Sequence, residues 1–125
     1  MSMHTDIVVT LQGLRTLITP DHRFTRDTFA RTAQGHAVEP TDPAAVAWCM
    51  RGALVHAVAS IADGIDTPRY HALHAAAHQL LTVSAQHVYQ MGGLAQINDD
   101  RGHTAVLTII DAALDRLEQD ARRCA

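Results

Sequence analysis

Lysine is absent from this chain, and positive charge is sparse: all ten basic residues are arginine, set against thirteen Asp and Glu for a formal net charge of −3. Phosphate backbones are bound by a concentrated basic face, so this balance argues against nucleic acid as a partner. Aromatics are few, at one Trp, two Tyr and two Phe. The core must therefore come from Ala, Val, Leu and Ile, and an Ala-rich core lets helices approach closely. There are only two cysteines, Cys49 and Cys124, with no C-x-x-C spacing. One disulfide between them is feasible, but nothing marks the chain as secreted. No apolar run approaches the ~20 residues of a membrane span, and Met1–Asp6 has neither the positive nor the apolar region of a signal peptide. A reduced, cytoplasmic protein is expected. Phosphate-cradling Gly-rich loops, Walker motifs and dinucleotide fingerprints are also missing.

What is present is an apolar fraction of 47% with 18% charged residues, a globular composition, and 125 residues suit one domain with a single hydrophobic core. The most apolar stretch, Asp42 to Gly64, reads as a central helix. Asp42 is a natural N-cap, Pro43 suits the first helical position, and Gly64 can close the helix in the left-handed conformation. Before it, Ile7, Leu11, Leu14 and Ile18 recur at helical spacing from a cap at Thr5 or Asp6, and Pro20 stops that helix. Between the two, Gln34-Gly35 is a turn, flanked by Ala30-Arg31 and His36-Ala37-Val38 as a short hairpin. Thr67 caps a third helix with Pro68 in its first turn; it runs to about Met91, with Leu73, Ala77, Leu80, Ser84, Val88 and His87 on one face. Leu94–Ile97 adds a short turn, and Asn98-Asp99-Asp100-Arg101-Gly102 is turn chemistry. A last helix starts near His103, with Val106, Ile110, Ala113, Leu114 and Leu117 inward. The expected fold is all-α, a four-helix bundle with a short irregular or β-hairpin insertion between helices 1 and 2.

Nine histidines make metal chemistry the first candidate. His71, His74 and His78 fall on one arc of the third helix, and the i, i+4 pair His74/His78 can chelate zinc or another divalent transition metal. The intervening residues are alanines, so the H-E-x-x-H hydrolase signature is absent and a solvated face is the plainer reading. A second arrangement would draw His56, His87 and His103 from three facing helices. His56, Ser60 and Asp63 share a helix, where side chains project in parallel, so they make no catalytic triad. Cys49, mid-helix beside Trp48 and Met50, reads as core packing rather than as a nucleophile. Arg23, Arg26 and Arg31 gather in the irregular segment, where a solvated loop suffices.

Two motifs, Trp48-Cys49-x-x-Gly52-Ala53-Leu54 followed by Asn98-Asp99-x-x-Gly102-His103-Thr104, resemble a family of short proteins of unknown function met in actinobacteria and their phages. The resemblance covers about residues 7 to 118. Leu107 stands where that pattern expects an acidic residue to complete a capping box, which leaves the cap of the last helix to Asp99 or Asp100. The resemblance implies a stand-alone bacterial or phage cytoplasmic domain and carries no activity. Trp48 would fill the gap left by an Ala-rich core, Gly52 would let a neighbouring helix pack closely, and Asn98, Asp99 and Gly102 would set the turn.

No catalytic constellation outweighs its packing explanation, so the sequence favours a non-enzymatic interaction or regulatory protein acting on a protein partner, including a second copy of itself. The alternative is a His-based metal-binding protein or small metal-dependent enzyme. If a site exists, the expected place is a polar cleft shared by Arg51, His56, Asn98, Asp99 and His103.

Overall fold

The computed structural model describes residues 2–124, and among them it shows five helices and three strands. Helix α1 spans Met3–Ile18, and its N-cap is Ser2, whose hydroxyl accepts from the Thr5 N–H at 3.1 Å. Asp6, expected as a cap, is instead buried, where its carboxylate takes Arg69 at 3.2 Å. The same guanidinium donates to the Ile61 carbonyl at 2.9 Å, so one side chain ties three elements together.

A single 3-10 turn, Asp21–Arg23, leads into a sheet of β1 (Ala30–Thr32), β2 (Ala37–Val38) and β3 (Ala45–Trp48), all antiparallel, in the order β2-β1-β3. The hairpin at Gln34-Gly35 is present, pairing Ala30 with Val38 and Arg31 with Ala37. The four-helix, all-α expectation nevertheless fails, because the helical core has five helices and the insertion is a three-stranded sheet.

The third strand was hidden in the segment read as the first turns of the central helix. Asp42-Pro43 does not open a helix. The Asp42 carboxylate accepts from the Ala44 N–H at 2.8 Å and its carbonyl from the Ala45 N–H at 3.0 Å, a turn that aims the chain into β3. Asp and Pro serve turns and helix starts equally well, and the partner strand decides between them. Ala30 pairs with Trp48 and Arg31 with Ala47, with a shift of register before Thr32 and Ala45. The Trp48 indole N–H donates to the Pro40 carbonyl at 2.9 Å, locking the ring under the strand.

Helix α2 (Met50–Ala62) thus begins only after the sheet. It is followed by α3 (Pro68–Tyr89), capped as expected by Thr67, whose hydroxyl accepts from the Tyr70 N–H at 3.0 Å. Leu94–Asp100, expected as a turn, forms the short helix α4, and α5 runs over His103–Cys124. Between them Gly102 turns the chain at φ +86°. The core gathers Leu11 and Leu14 of α1, Leu54 and Val58 of α2, Leu73 and Leu81 of α3, Ile97 of α4 and Ile109 and Ile110 of α5. A bidentate Arg15–Asp111 pair, at 2.5 and 3.2 Å, bridges α1 and α5 at its edge. His87, expected on the core face of α3, is exposed; Ser84 and Ala85 take the buried positions. Cys49 is a free, buried thiol, and the Cys124 side chain lies outside the described residues. Among the described residues no helix is long and apolar enough to cross a membrane.

Candidate functional site

The two sequence motifs, some fifty residues apart, meet at the first turn of α2. Cys49 is the N-cap, its sulfur accepting from the Gly52 N–H at 3.3 Å. The Met50 N–H is an orphan donor of that helix end, and Asn98 supplies its partner: the side-chain oxygen accepts at 2.9 Å. The Asn98 amide nitrogen donates to the Thr25 carbonyl and to the Asp99 carboxylate, both at 3.1 Å. A buried Asn with both ends bonded specifies the docking of α4 onto α2 and onto the segment entering the sheet. Asp99 does not cap α5; it accepts from the Asp27 N–H at 3.0 Å, which holds its carboxyl below the usual range. Asp27 sits at φ +65°, a left-handed conformation that Asp tolerates better than most residues.

Gly52 lets β1 reach this point. A Cβ there would lie 2.0 Å from the Phe29 carbonyl oxygen, so the glycine admits the backbone of the residue leading into β1, not a neighbouring helix. The same carbonyl accepts from the Cys49 N–H at 3.2 Å.

These contacts leave a half-open pocket of about 160 Å³, lined by Asp27, Thr28, Phe29, Cys49 and Arg51 with Ala95, Asn98 and Asp99 of α4. Its lining is mainly apolar. Phe29, 43% exposed, forms part of the rim, and the Arg51 guanidinium stands 5.2 Å over its ring. Among the described residues Arg51 makes no hydrogen bond or ion pair. Burial pushes the Cys49 thiol up, outweighing the helix N–H groups and Arg51 that favour thiolate, so it is protonated at neutral pH and poorly suited to attack.

Of the five residues expected to share a cleft, Arg51, Asn98 and Asp99 line this pocket, whereas His56 and His103 do not. His56 packs against the Trp48 ring at 5.2 Å, and burial lowers its pKa. The ring nitrogens of His103 face the Ile18 carbonyl at 2.5 Å and the Asp21 carboxylate at 2.9 Å, tying α5 to the end of α1. The sequence reading missed Asp27, Thr28, Phe29 and Ala95 as pocket residues and took Cys49 for core packing; what brings them together is contact between segments far apart in the chain, which leaves no local signal.

The histidine stripe is a packed column. Tyr70 stacks on His74 at 5.5 Å and His74 on His78 at 5.9 Å, with exposed His71 edge-on to Tyr70 at 5.4 Å. Burial, the neighbouring imidazoles and Arg51 lower the pKa of His74; burial and Arg51 lower that of His78. Among the described residues no three His, Cys, Asp or Glu side chains gather closely enough to share a metal ion, which argues against the metal-dependent alternative. Ser60 donates to the His56 backbone carbonyl at 2.9 Å, an ordinary helix contact. Two of the three clustered arginines are held by the chain itself: Arg26 donates to the Asp99 carbonyl at 3.1 Å, and Arg31 to Thr25, Gly35 and Arg26, while Arg23 and Arg26 stay exposed.

Residues 3–116 match a family of unknown function (DUF6197), and the chain belongs to that family. No curated protein matches the chain, and no solved structure does either.

Proposed function

We propose that this family member is a non-enzymatic protein-interaction or regulatory module, a single domain over residues 1–125. In this reading it works in the bacterial or phage cytoplasm and engages a protein partner that includes a second copy of itself. The observation that carries the reading is the pocket rim. In a chain with two phenylalanines, one is left 43% exposed and paired with a guanidinium that has no anionic partner among the described residues. Aromatic and Arg side chains flanking a small apolar recess are the residue types on which interface energy concentrates.

The test combines light scattering of the purified protein with affinity capture, on wild type and on a Phe29→Ser/Arg51→Ala double variant. A dimer or a captured partner that the double variant loses supports the reading. A strict monomer with no partner, or an association the variant leaves intact, overturns it.

A further inference from the structure

The pocket carries charges of both signs that do not neutralise each other. On one wall the Asp99 carboxylate is ionised and bonded through one oxygen to the Asp27 N–H, with the Asp27 side chain against the same group. Arg26, outside the lining, donates to the Asp99 main-chain carbonyl rather than to its carboxylate. Arg51 lines the same recess, its guanidinium 5.2 Å over the Phe29 ring and close enough to the His74 and His78 side of α3 to act on both imidazoles. Both Arg51 and Asp99 act on the Cys49 thiol, in opposite directions, whereas Arg26 is the cation that acts on Asp99 itself. The guanidinium, the thiol and the carboxylate thus line one recess, and no ion pair joins Arg51 to either aspartate among the described residues. The rest of the lining is the Phe29 ring, the Ala95 methyl and the protonated Cys49, with Thr28 and Asn98 beside them.

The size is equally restrictive. A cavity of about 150 Å³ holds one benzene, so a 160 Å³ recess takes a ligand of roughly six to ten heavy atoms. A nucleotide or a sugar phosphate is too large, and the carboxylate wall repels anions. A simple cation leaves Arg51 without a partner.

We propose that this pocket binds a compact zwitterion, an α-amino acid with a mid-sized apolar side chain. Its ammonium meets Asp27 and Asp99, its carboxylate meets Arg51, and its side chain lies against Phe29, Cys49 and Ala95. Arg51 forms a two-pronged match to a carboxylate without a long side chain having to be ordered first, because it is already laid over Phe29. The site stands independently of the partner-binding reading, since a free amino acid needs no second protein.

The experiment is isothermal titration of the full chain with L-leucine and L-methionine. N-acetyl-L-leucine, L-leucinamide and the peptide Leu-Gly-Gly serve as probes lacking one charge or displacing it. The expected result is saturable binding of the free amino acids at millimolar or better dissociation constants, weakened at least tenfold by acetylation, amidation or peptide extension. Arg51→Ala should weaken L-leucine about tenfold and leave L-leucinamide unchanged. Asp27→Asn, which keeps the left-handed backbone and its N–H, should weaken L-leucine and leave N-acetyl-L-leucine unchanged. Both replaced side chains are exposed, and circular dichroism confirms that each variant is folded. Absence of heat with the free amino acids, equal binding of the blocked or extended forms, or affinities untouched by both substitutions overturns the proposal.

Discussion

Replacing Gly52 by alanine sets two effects of known sign against each other. Ala is the better helix former by at most about 1 kcal/mol, so in an open helix G52A would stabilise. Here the new Cβ would lie 2.0 Å from the Phe29 carbonyl oxygen and 2.8 Å from its carbon. Those are backbone atoms, with no rotamer by which to escape, so the strand must retreat by more than an ångström. Overpacking of this kind costs about 1–3 kcal/mol. The retreat also breaks the 3.2 Å bond from the Cys49 N–H to that carbonyl, worth about 1 kcal/mol. Sterics win, with a net loss of about 1–3 kcal/mol. Gly13 is the internal control. Its added Cβ would meet only the Ala57 Cβ at 3.9 Å, an ordinary contact, so Gly13→Ala should stabilise by about 0.5–1 kcal/mol. Urea denaturation followed by Trp48 fluorescence and far-UV circular dichroism measures both. If G52A is as stable as wild type, or the two substitutions move stability in the same direction, β1 does not press on α2 as described.

Asn98→Ala strips the buried Met50 N–H and the Thr25 carbonyl of their partners and should cost about 2–4 kcal/mol in the same urea experiment, since each unsatisfied buried group costs about 1–3; a loss under about 1 kcal/mol would mean that the side chain is not the cap. For His56, His74 and His78, burial lowers the folded-state pKa below the ordinary 6.5, so the unfolded chain binds more protons between the two values. Stability should be full above about pH 6.5 and fall as pH drops from there toward the folded-state values, the slope flattening in a His74→Gln/His78→Gln variant. A slope that the double substitution leaves unchanged would assign the acid sensitivity elsewhere.

Periodicity exposes the long helices because they are amphipathic over several turns: Leu11, Leu14 and Ile18 in α1, and Val106, Ile110 and Ala113 in α5, are all fully buried. It fails at Ala45–Trp48, where Ala45, Ala47 and Trp48 are buried and only Val46 is exposed. That strand shows no strict alternation, and its small apolar residues continue without a break into α2. Asp42-Pro43 compounds the error by presenting a helix-start signal at what is a turn. Within the site, Asn98 and Asp99 stood out, but as local turn residues; their partners Met50, Thr25 and Asp27 lie 48 to 73 positions away, where no spacing rule reaches. Gly52 likewise signalled close approach, while the identity of the approaching element, a strand rather than a helix, belongs to tertiary structure.

The Asn98 clasp also sets an order of assembly. A chain leaving the ribosome can pair its three strands and wind α2 once residue 62 has emerged, yet the first N–H of that helix then has no side-chain partner and the recess has only one wall. Completion waits for residues 98 and 99, across a closed loop of some seventy residues, whose entropic cost falls late in folding. Until α4 docks, the Cys49 side of the recess lacks the wall that Ala95, Asn98 and Asp99 supply. The recess is therefore complete only in a chain synthesised and folded at least as far as α4.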